Sequence, residues 1–209
     1  MSLKHALVLC NGEAPPPEFI KNLKSQATLF IATDGAGNTA LEYGIRPDIV
    51  IGDLDSFNNP NDPELILIKD EDQETNDLEK ALTYTLATDV EQVTVIGASG
   101  KRIDHTLKNL SVLKQFSDKF MSLGFRDIYG VTYLMPHEHT IDLPVGTPVS
   151  LFPLSGRVEG ITTKGLKYSL HDEPLENGIR DGSSNEICEQ PAHISYKSGD
   201  LLIFVGDSM

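Results

Sequence analysis

The chain has 209 residues, of which 39 % are hydrophobic and 23 % charged, with a formal net charge of −14 and two cysteines. That length can bury a real core without metal or disulfide staples, as one large domain or two small ones. The acid excess opposes binding to the dense negative charge of DNA or RNA, and no apolar stretch reaches the roughly 18–20 residues of a membrane span. Cys10 and Cys188 make no disulfide framework and read as reduced thiols. Met1-Ser2-Leu3-Lys4 leads straight into a strand-like run without a signal segment, so the expected location is cytoplasmic. Acidity of this size either keeps the protein soluble or serves a divalent cation or a cationic substrate, and the placement of the acids must decide.

Taken in order, the first elements are short apolar runs that end in turn residues. Ala6 to Cys10 ends at Asn11-Gly12, Leu29 to Ala32 precedes Asp34-Gly35, and Ile49 to Ile51 precedes Gly52-Asp53. Leu65 to Ile68 precedes an acidic stretch, and Val93 to Ile96 precedes Gly97. Such runs predict strands buried on both faces, as in a parallel sheet. Helical patterns lie between them. Ala36 to Tyr43 ends at Gly44 with Pro47 beyond; Leu78, Ala81, Leu82 and Leu86 follow a capping-box-like Asn76/Glu79 pair; Ile103, Leu107, Leu110 and Leu113 give a further apolar face. The fold class expected is α/β, with a mostly parallel Rossmann-like sheet domain at 1–138.

Beyond about Met135 prolines and glycines multiply and the runs become β-like: Val149 to Phe152, Gly165 to Ser169, Ile187 to Glu189, His193 to Tyr196 and Leu201 to Val205. This predicts a smaller all-β sandwich domain at 139–209. His137-Glu138-His139 at the junction has no third ligand nearby and reads as structural rather than as a transition-metal site.

In an open α/β sheet, ligands bind outside the carboxyl ends of the strands. There the sequence gathers Asn11-Gly12, Asp34-Gly35, Asp53 and Asp55, the acidic segment Asp72 to Asp77, and Ser99-Gly100-Lys101-Arg102. In an extended segment Asp53 and Asp55 point the same way and can share one Mg²⁺ with phosphate oxygens. Read alone, the pair is equally a loop in which Asp55 caps and Asp53 is solvated. Asp77 at a helix start and Asp104 beside a glycine turn can join them. Gly97 to Arg102 can cradle phosphates but is no Walker A loop, because Arg102 stands where Ser or Thr is required.

Three ordered segments resemble the thiamine pyrophosphokinase family: Asp34-Gly35-Ala36 with Pro47-Asp48 and Gly52-Asp53-Leu54-Asp55-Ser56; Asp72-Gln73 through Asp77-Leu78-Glu79-Lys80-Ala81-Leu82; and Gly100-Lys101-Arg102-Ile103-Asp104-His105. Gly165-Leu166-Lys167-Tyr168 and Gly182-Ser183-Ser184-Asn185 are similar to its thiamine-pocket segments. The resemblance implies transfer of pyrophosphate from ATP to the hydroxyl of thiamine, releasing AMP, in a homodimer with active sites at the interface. It implies Mg²⁺ held by Asp53, Asp55 and Asp77, with Asp104 near the reacting hydroxyl and Arg102 on the transferring group. It assigns ATP to Asn11, Asp34, Gly35, Ser99, Gly100, Lys101 and Asn109, and thiamine to Gln73, Tyr168, Ser183, Ser184 and Asn185. Asn76 stands where the family often has Thr, and Tyr168 where animal members have a stacking Trp.

Three other readings compete. A pyrophosphokinase for another alcohol, such as a hydroxymethylpterin, would share Asp53 and Asp55. A phosphatase of the haloacid dehalogenase type also uses Asp-x-Asp, though normally after the first strand and not ending, as here, in Ser56. A non-catalytic nucleotide or thiamine sensor would not need the full set of aspartates.

Overall fold

The computed structural model describes residues 3–207, so Met1 and Ser2 of the strand-leading segment lie outside the described residues. The chain divides into two compact units, one ending at Ile128 and the other starting at Tyr129. In the first, all five apolar runs become strands: β1 (His5–Leu9), β2 (Leu29–Thr33), β3 (Ile49–Gly52), β4 (Ile66–Lys69) and β5 (Gln92–Ile96), joined by β6 (Ser122–Arg126). They run in the order β6-β5-β1-β2-β3-β4, and every pairing is parallel.

Parallel neighbours need crossovers. Helices α1 (Pro17–Gln26), α2 (Ala36–Glu42), α3 (Asp77–Leu86) and α4 (Ile103–Phe116) supply four of them. The fifth, from β3 to β4, carries no helix, and it is the segment that holds Asp53 and Asp55. A loop of that length inside a packed unit is where function concentrates. Strands β2, β3 and β4 lie on one side of β1, and β5 and β6 on the other. The loops leaving β1 and β5 therefore diverge from a topological switch point.

In β1, Leu7 and Leu9 belong to a core with Ile20 of α1 and Ala36 and Ala40 of α2, while the alternating Ala6 and Val8 are equally buried. The strand is thus covered on both faces, as its unbroken apolar run requires. Helix α3 lies against β1, β2 and β3.

Several expectations change. Leu65 to Ile68 reads as a doubly buried strand, but β4 is the edge strand, with Ile66 55 % exposed. The predicted apolar face of α4 is only half right. Ile103 and Leu107 are exposed, and the helix buries Asn109, Val112, Leu113 and Phe116 instead. Helix α1 escaped the sequence reading because it follows a run of prolines, with Pro17 in its first turn and Ile20 as its one buried residue. Proline at that position costs no hydrogen bond.

The second unit holds β7 (Gly130–Leu134), β8 (Glu138–Ile141), β9 (Pro148–Pro153), β10 (Val158–Lys164), β11 (His171–Leu175), β12 (Gly182–Glu186), β13 (Ala192–Ser195) and β14 (Leu201–Gly206). Within it β12-β9-β14-β7 and β11-β10-β13-β8 are both antiparallel. Val149, Leu151 and Ile203 from the first set share one core with Ile141, Ile161 and Ile194 from the second. The unit starts earlier than residue 139 because β7 pairs along its length with β14, from Gly130↔Gly206 to Leu134↔Leu202. Gly165 to Ser169 and Ile187 to Glu189 are not strands. They are irregular segments joined by a single bridge, Leu166↔Ile187. No helix among the described residues is long and apolar enough to cross a membrane.

Candidate functional site

The aspartates expected at the strand ends meet in the first unit. Carboxylate oxygens of Asp34, Asp53 and Asp55 lie within 4.8 Å of one another, a spacing that suits a single cation. The turn, not an extended strand, puts Asp53 and Asp55 on one side. Leu54 takes φ +62°, and the Asp55 N–H donates to Asp53 Oδ1 at 3.3 Å. This is an Asx-type turn, in which a side chain replaces a backbone acceptor. Asn38 of α2 pins the loop from behind. Its Nδ2 donates to Ser56 O at 2.7 Å, and its Oδ1 accepts from Asn58 N at 2.9 Å. Phe57 then plugs the loop into the core.

Asp77 completes the group from α3. A Cβ on Gly52 would lie 2.8 Å from Asp34 Cβ and 3.1 Å from Asp77 Oδ1, so only glycine lets the two aspartates flank the end of β3. Burial first, then the charges of Asp34, Asp53 and Asp55, push the Asp77 carboxyl up to about 6, with Lys80 opposing. Burial, reinforced by Asp53 and Asp55, likewise raises Asp34 above the usual carboxylate range against the pull of the Gly35 N–H. Asp34 Oδ1 is buried and has no hydrogen-bond partner. Such an atom is costly unless something binds it. The resemblance assigned Asp34 to ATP; its geometry groups it with Asp53 and Asp55.

The loops after β1 and β5 are zipped together. Gly12 N donates to Gly97 O at 2.8 Å and Glu13 N to Ser99 O at 2.7 Å. A Cβ on Gly12 would collide with both carbonyls, which explains the glycine. Lys101, at φ +51°, donates from Nζ to Asn11 Oδ1 at 3.1 Å, and Asn11 packs on Gly35. Asn11, Asp34, Gly35 and Lys101 are therefore neighbours. Ser99 and Gly100 are exposed beside them.

Asn109 is buried and fully engaged. Its Nδ2 donates to Ala98 O at 2.8 Å, and its Oδ1 accepts from Asn76 Nδ2 at 2.8 Å. Asn76 in turn caps α3 by accepting from Glu79 N at 3.0 Å. This chain of amides ties the helix that presents Asp77 to the glycine loop. Arg102 and Asp104 pair with each other at the start of α4, Nε donating to Oδ1 at 3.1 Å. The Arg102 hydrogen bond holds the Asp104 carboxyl below the usual range. Gln73 is exposed, its Nε2 on Glu71 O at 3.2 Å.

In the second unit, Asn185 is buried and clamps Tyr168 through its backbone. Its Oδ1 accepts from Tyr168 N at 3.0 Å and its Nδ2 donates to Tyr168 O at 2.9 Å. The Tyr168 ring is left 61 % exposed, with Lys167 Nζ 5.7 Å from its centroid. Ser184 sits at φ +60° and donates its N–H to Ser150 Oγ at 3.1 Å; Ser183 N donates to Asp181 Oδ1 at 2.8 Å. Both serine side chains are exposed.

The thiamin pyrophosphokinase catalytic-domain profile matches residues 20–124, and the vitamin B1 binding-domain profile of the same family matches residues 138–201. The chain belongs to the thiamin pyrophosphokinase family. It is 29 % identical to thiamine pyrophosphokinase 2 of Oryza sativa subsp. japonica over 95 % of this chain and 85 % of that one. It is 28 % identical to thiamin pyrophosphokinase 1 of Caenorhabditis elegans over 88 % and 81 %. Its fold is shared with the crystal structure of thiamine pyrophosphokinase from Bacillus subtilis, at TM-score 0.84, 23 % identity and 99 % and 100 % coverage. The yeast thiamin pyrophosphokinase structure gives TM-score 0.85 at 18 % identity, covering 99 % and 87 %.

Within this thiamin pyrophosphokinase fold, sequence reasoning missed the residues that hold the site rather than form it. Asn38 reads as one more polar helix position. Lys80, given no role of its own within the segment Asp77 to Leu82, is only 6 % exposed. The histidines at 137 and 139 do have structural partners: His139 Nε2 lies 2.8 Å from Tyr133 Oη, and His137 Nδ1 3.2 Å from Tyr196 O.

Proposed function

We propose that this chain transfers pyrophosphate from ATP to the hydroxyl of thiamine, giving thiamine diphosphate and AMP, with Mg²⁺ as the cofactor. The observation that carries the reading is the cluster of Asp34, Asp53 and Asp55, with Asp77 beside it, at the switch-point edge of a parallel sheet in a chain of this family. In the reaction the thiamine oxygen bonds to the β-phosphorus of ATP and gives up its proton to solvent, and the bond from that phosphorus to the α-phosphate oxygen breaks, AMP leaving with that oxygen.

The donor set fits Mg²⁺: all-oxygen ligands, carboxylates close enough to share one ion, and a buried Asp34 oxygen without another partner. Asp53, Asp55 and Asp77 are the proposed holders, with Asp34 adjoining them. When bound, the ion neutralises charge on the phosphates and polarises the transferring group. The protein's own work is positioning, which is most of what phosphoryl-type transfer needs. The exposed turn Ser99 to Lys101 offers N–H groups and an ammonium to ATP phosphates, next to Asn11 and Gly35. Asn109, with both amide ends engaged, shapes that turn. Arg102 carries charge for the transferring group. Asp104, held ionised by Arg102, is a weak base, which suits orienting the hydroxyl rather than removing its proton.

For the acceptor we propose Gln73 and, in the second unit, Tyr168, Ser183, Ser184 and Asn185. The exposed face of Tyr168 suits a thiazolium cation, and Asn185 serves by fixing its backbone. The first unit fits a Rossmann-like nucleotide domain. The shared core of the two antiparallel sheets fits a sandwich that carries the thiamine side, the division falling between Ile128 and Tyr129 rather than at 138/139. A homodimer is supported by the family and by exposed Ile103 and Leu107 on α4. A cytoplasmic location agrees with two free cysteines.

A competition assay tests the substrate. With ATP and Mg²⁺, AMP should form with thiamine and not with a hydroxymethylpterin; the reverse preference would transfer the chemistry to another alcohol.

A further inference from the structure

Among the described residues the buried charged side chains are Asp34, Glu79 and Lys80. Glu79 is accounted for locally: Lys108 Nζ donates to it at 3.0 Å and Gln115 Nε2 at 2.7 Å. Lys80 is not an ordinary ion pair. Its Nζ donates to Asp70 O at 2.8 Å and stands 3.9 Å from Asp77 Oδ1, too far for a hydrogen bond. Asp70 N in turn donates to Gly52 O at 2.8 Å, next to Asp53. The ammonium is thus anchored to the backbone where β3 and β4 end, with Asp77 as the cluster carboxylate nearest to it.

Burying a lysine on one carbonyl bond is unfavourable, and its neighbours Leu78, Ala81 and Leu82 show that α3 here is an apolar face. What offsets the cost is the field of Asp77, 3.9 Å away, which stands at the edge of the Asp34–Asp53–Asp55 group. Four carboxylates gathered at one strand edge repel one another whenever no cation is present, and a fixed positive charge in a low-dielectric setting acts strongly on them. Lysine suits this place as a compact point charge on a flexible stem, without the fork that would make it a bidentate clamp.

We propose that Lys80 is a resident counter-cation of the aspartate cluster, a positioning residue that keeps Asp77 and the Asp53–Asp55 loop assembled before Mg²⁺ arrives. This rests on the metal reading of the preceding section. Lys80 and the divalent ion then share one task, so each matters more when the other is missing.

The test is thermal unfolding of the full chain, wild type against Lys80→Met, in EDTA and in saturating Mg²⁺ without nucleotide. The loss of Tm on substitution should be roughly twofold larger in EDTA than in Mg²⁺, because ion binding to the folded state takes over the missing charge. A lysine that only fills space and caps Asp70 O would lower Tm equally in both, and that result overturns the proposal. Should Lys80→Met not fold in EDTA, adding Asp77→Asn must restore folding by removing one of the opposed charges. A double variant no more stable than the single one overturns the proposal too. If Mg²⁺ leaves wild type unmoved, the metal reading fails, while the Asp77→Asn rescue still decides the role of Lys80.

Discussion

The aspartate edge of the first unit and the Tyr168–Asn185 region of the second are built on different plans. The first is fixed many times over: glycines that admit close backbone contact, Asn38 behind the Asp53 loop, and the amide chain from Asn76 through Asn109 to Ala98. The second leaves Tyr168, Ser183 and Ser184 exposed and relies on one buried side chain, Asn185, to set the Tyr168 backbone. On the function proposed above, the difference follows from what each would hold. Phosphate and metal chemistry fails when charges are misplaced by an ångström, which is why that region would be tied by so many contacts. A flat aromatic cation needs a surface and a few contacts, and its recognition tolerates a looser frame.

If this contrast is right, substitutions at the two regions should fail in different ways. The largest effect is expected at the cluster: Asp55→Asn should lower turnover on the order of 10²–10³-fold. Thiamine binding, measured calorimetrically, should stay nearly intact; equal loss of both would mark Asp55 as structural. Next, Gly12→Ala should destabilise the first unit by about 1–3 kcal/mol through collision with the carbonyls of Gly97 and Ser99. Chemical denaturation and the KM for ATP would both report it. Asn185→Ala leaves the Tyr168 N–H and C=O unpaired and should cost about 1–3 kcal/mol. It should raise KM for thiamine while KM for ATP holds. Tyr168→Leu is the mildest, weakening thiamine binding by about 0.5–1 kcal/mol, a few-fold in KM.

The pH dependence sharpens the same contrast. Asp77 in the folded, metal-free protein is raised from the ordinary carboxylate value to about 6. The folded state then holds a proton that the unfolded state has released, so this contribution is complete below the unfolded value and is lost as pH rises through about 6. The stability difference between wild type and Asp77→Asn in EDTA should therefore fall between pH 4 and 6, a range set by the ordinary and shifted values. A flat difference, by urea titration, would show that neither burial nor the neighbouring carboxylates raise Asp77 in the folded protein.

Five of the six parallel strands were legible because each is an apolar run closed by turn residues, and those turn residues supply the candidate site; β6, with the sequence SLGFR, carries no such run. Asp53 and Asp55 were legible as a pair, but their geometry was not, because a left-handed Leu54 has no signature in composition. The face of α4 was misread because Ile103 and Leu107 fit helical spacing equally well whether buried or exposed. Asn38 and Lys80 were hidden for the opposite reason: polar residues on helices read as solvated until neighbours are known, and Asn109, assigned to ATP by the resemblance, proved to be a buried amide link. In the second unit, Gly165 to Ser169 imitated a strand, while its partners are one bridge to Ile187 and the side chain of Asn185.

The central claim is pyrophosphoryl transfer from ATP to thiamine. Phosphorus NMR of the full chain with ATP, Mg²⁺ and thiamine tests it most directly. AMP and thiamine diphosphate should appear in equal amounts, with neither ADP nor free pyrophosphate accumulating. Formation of ADP with thiamine monophosphate, or AMP released without phosphorylated thiamine, would contradict it.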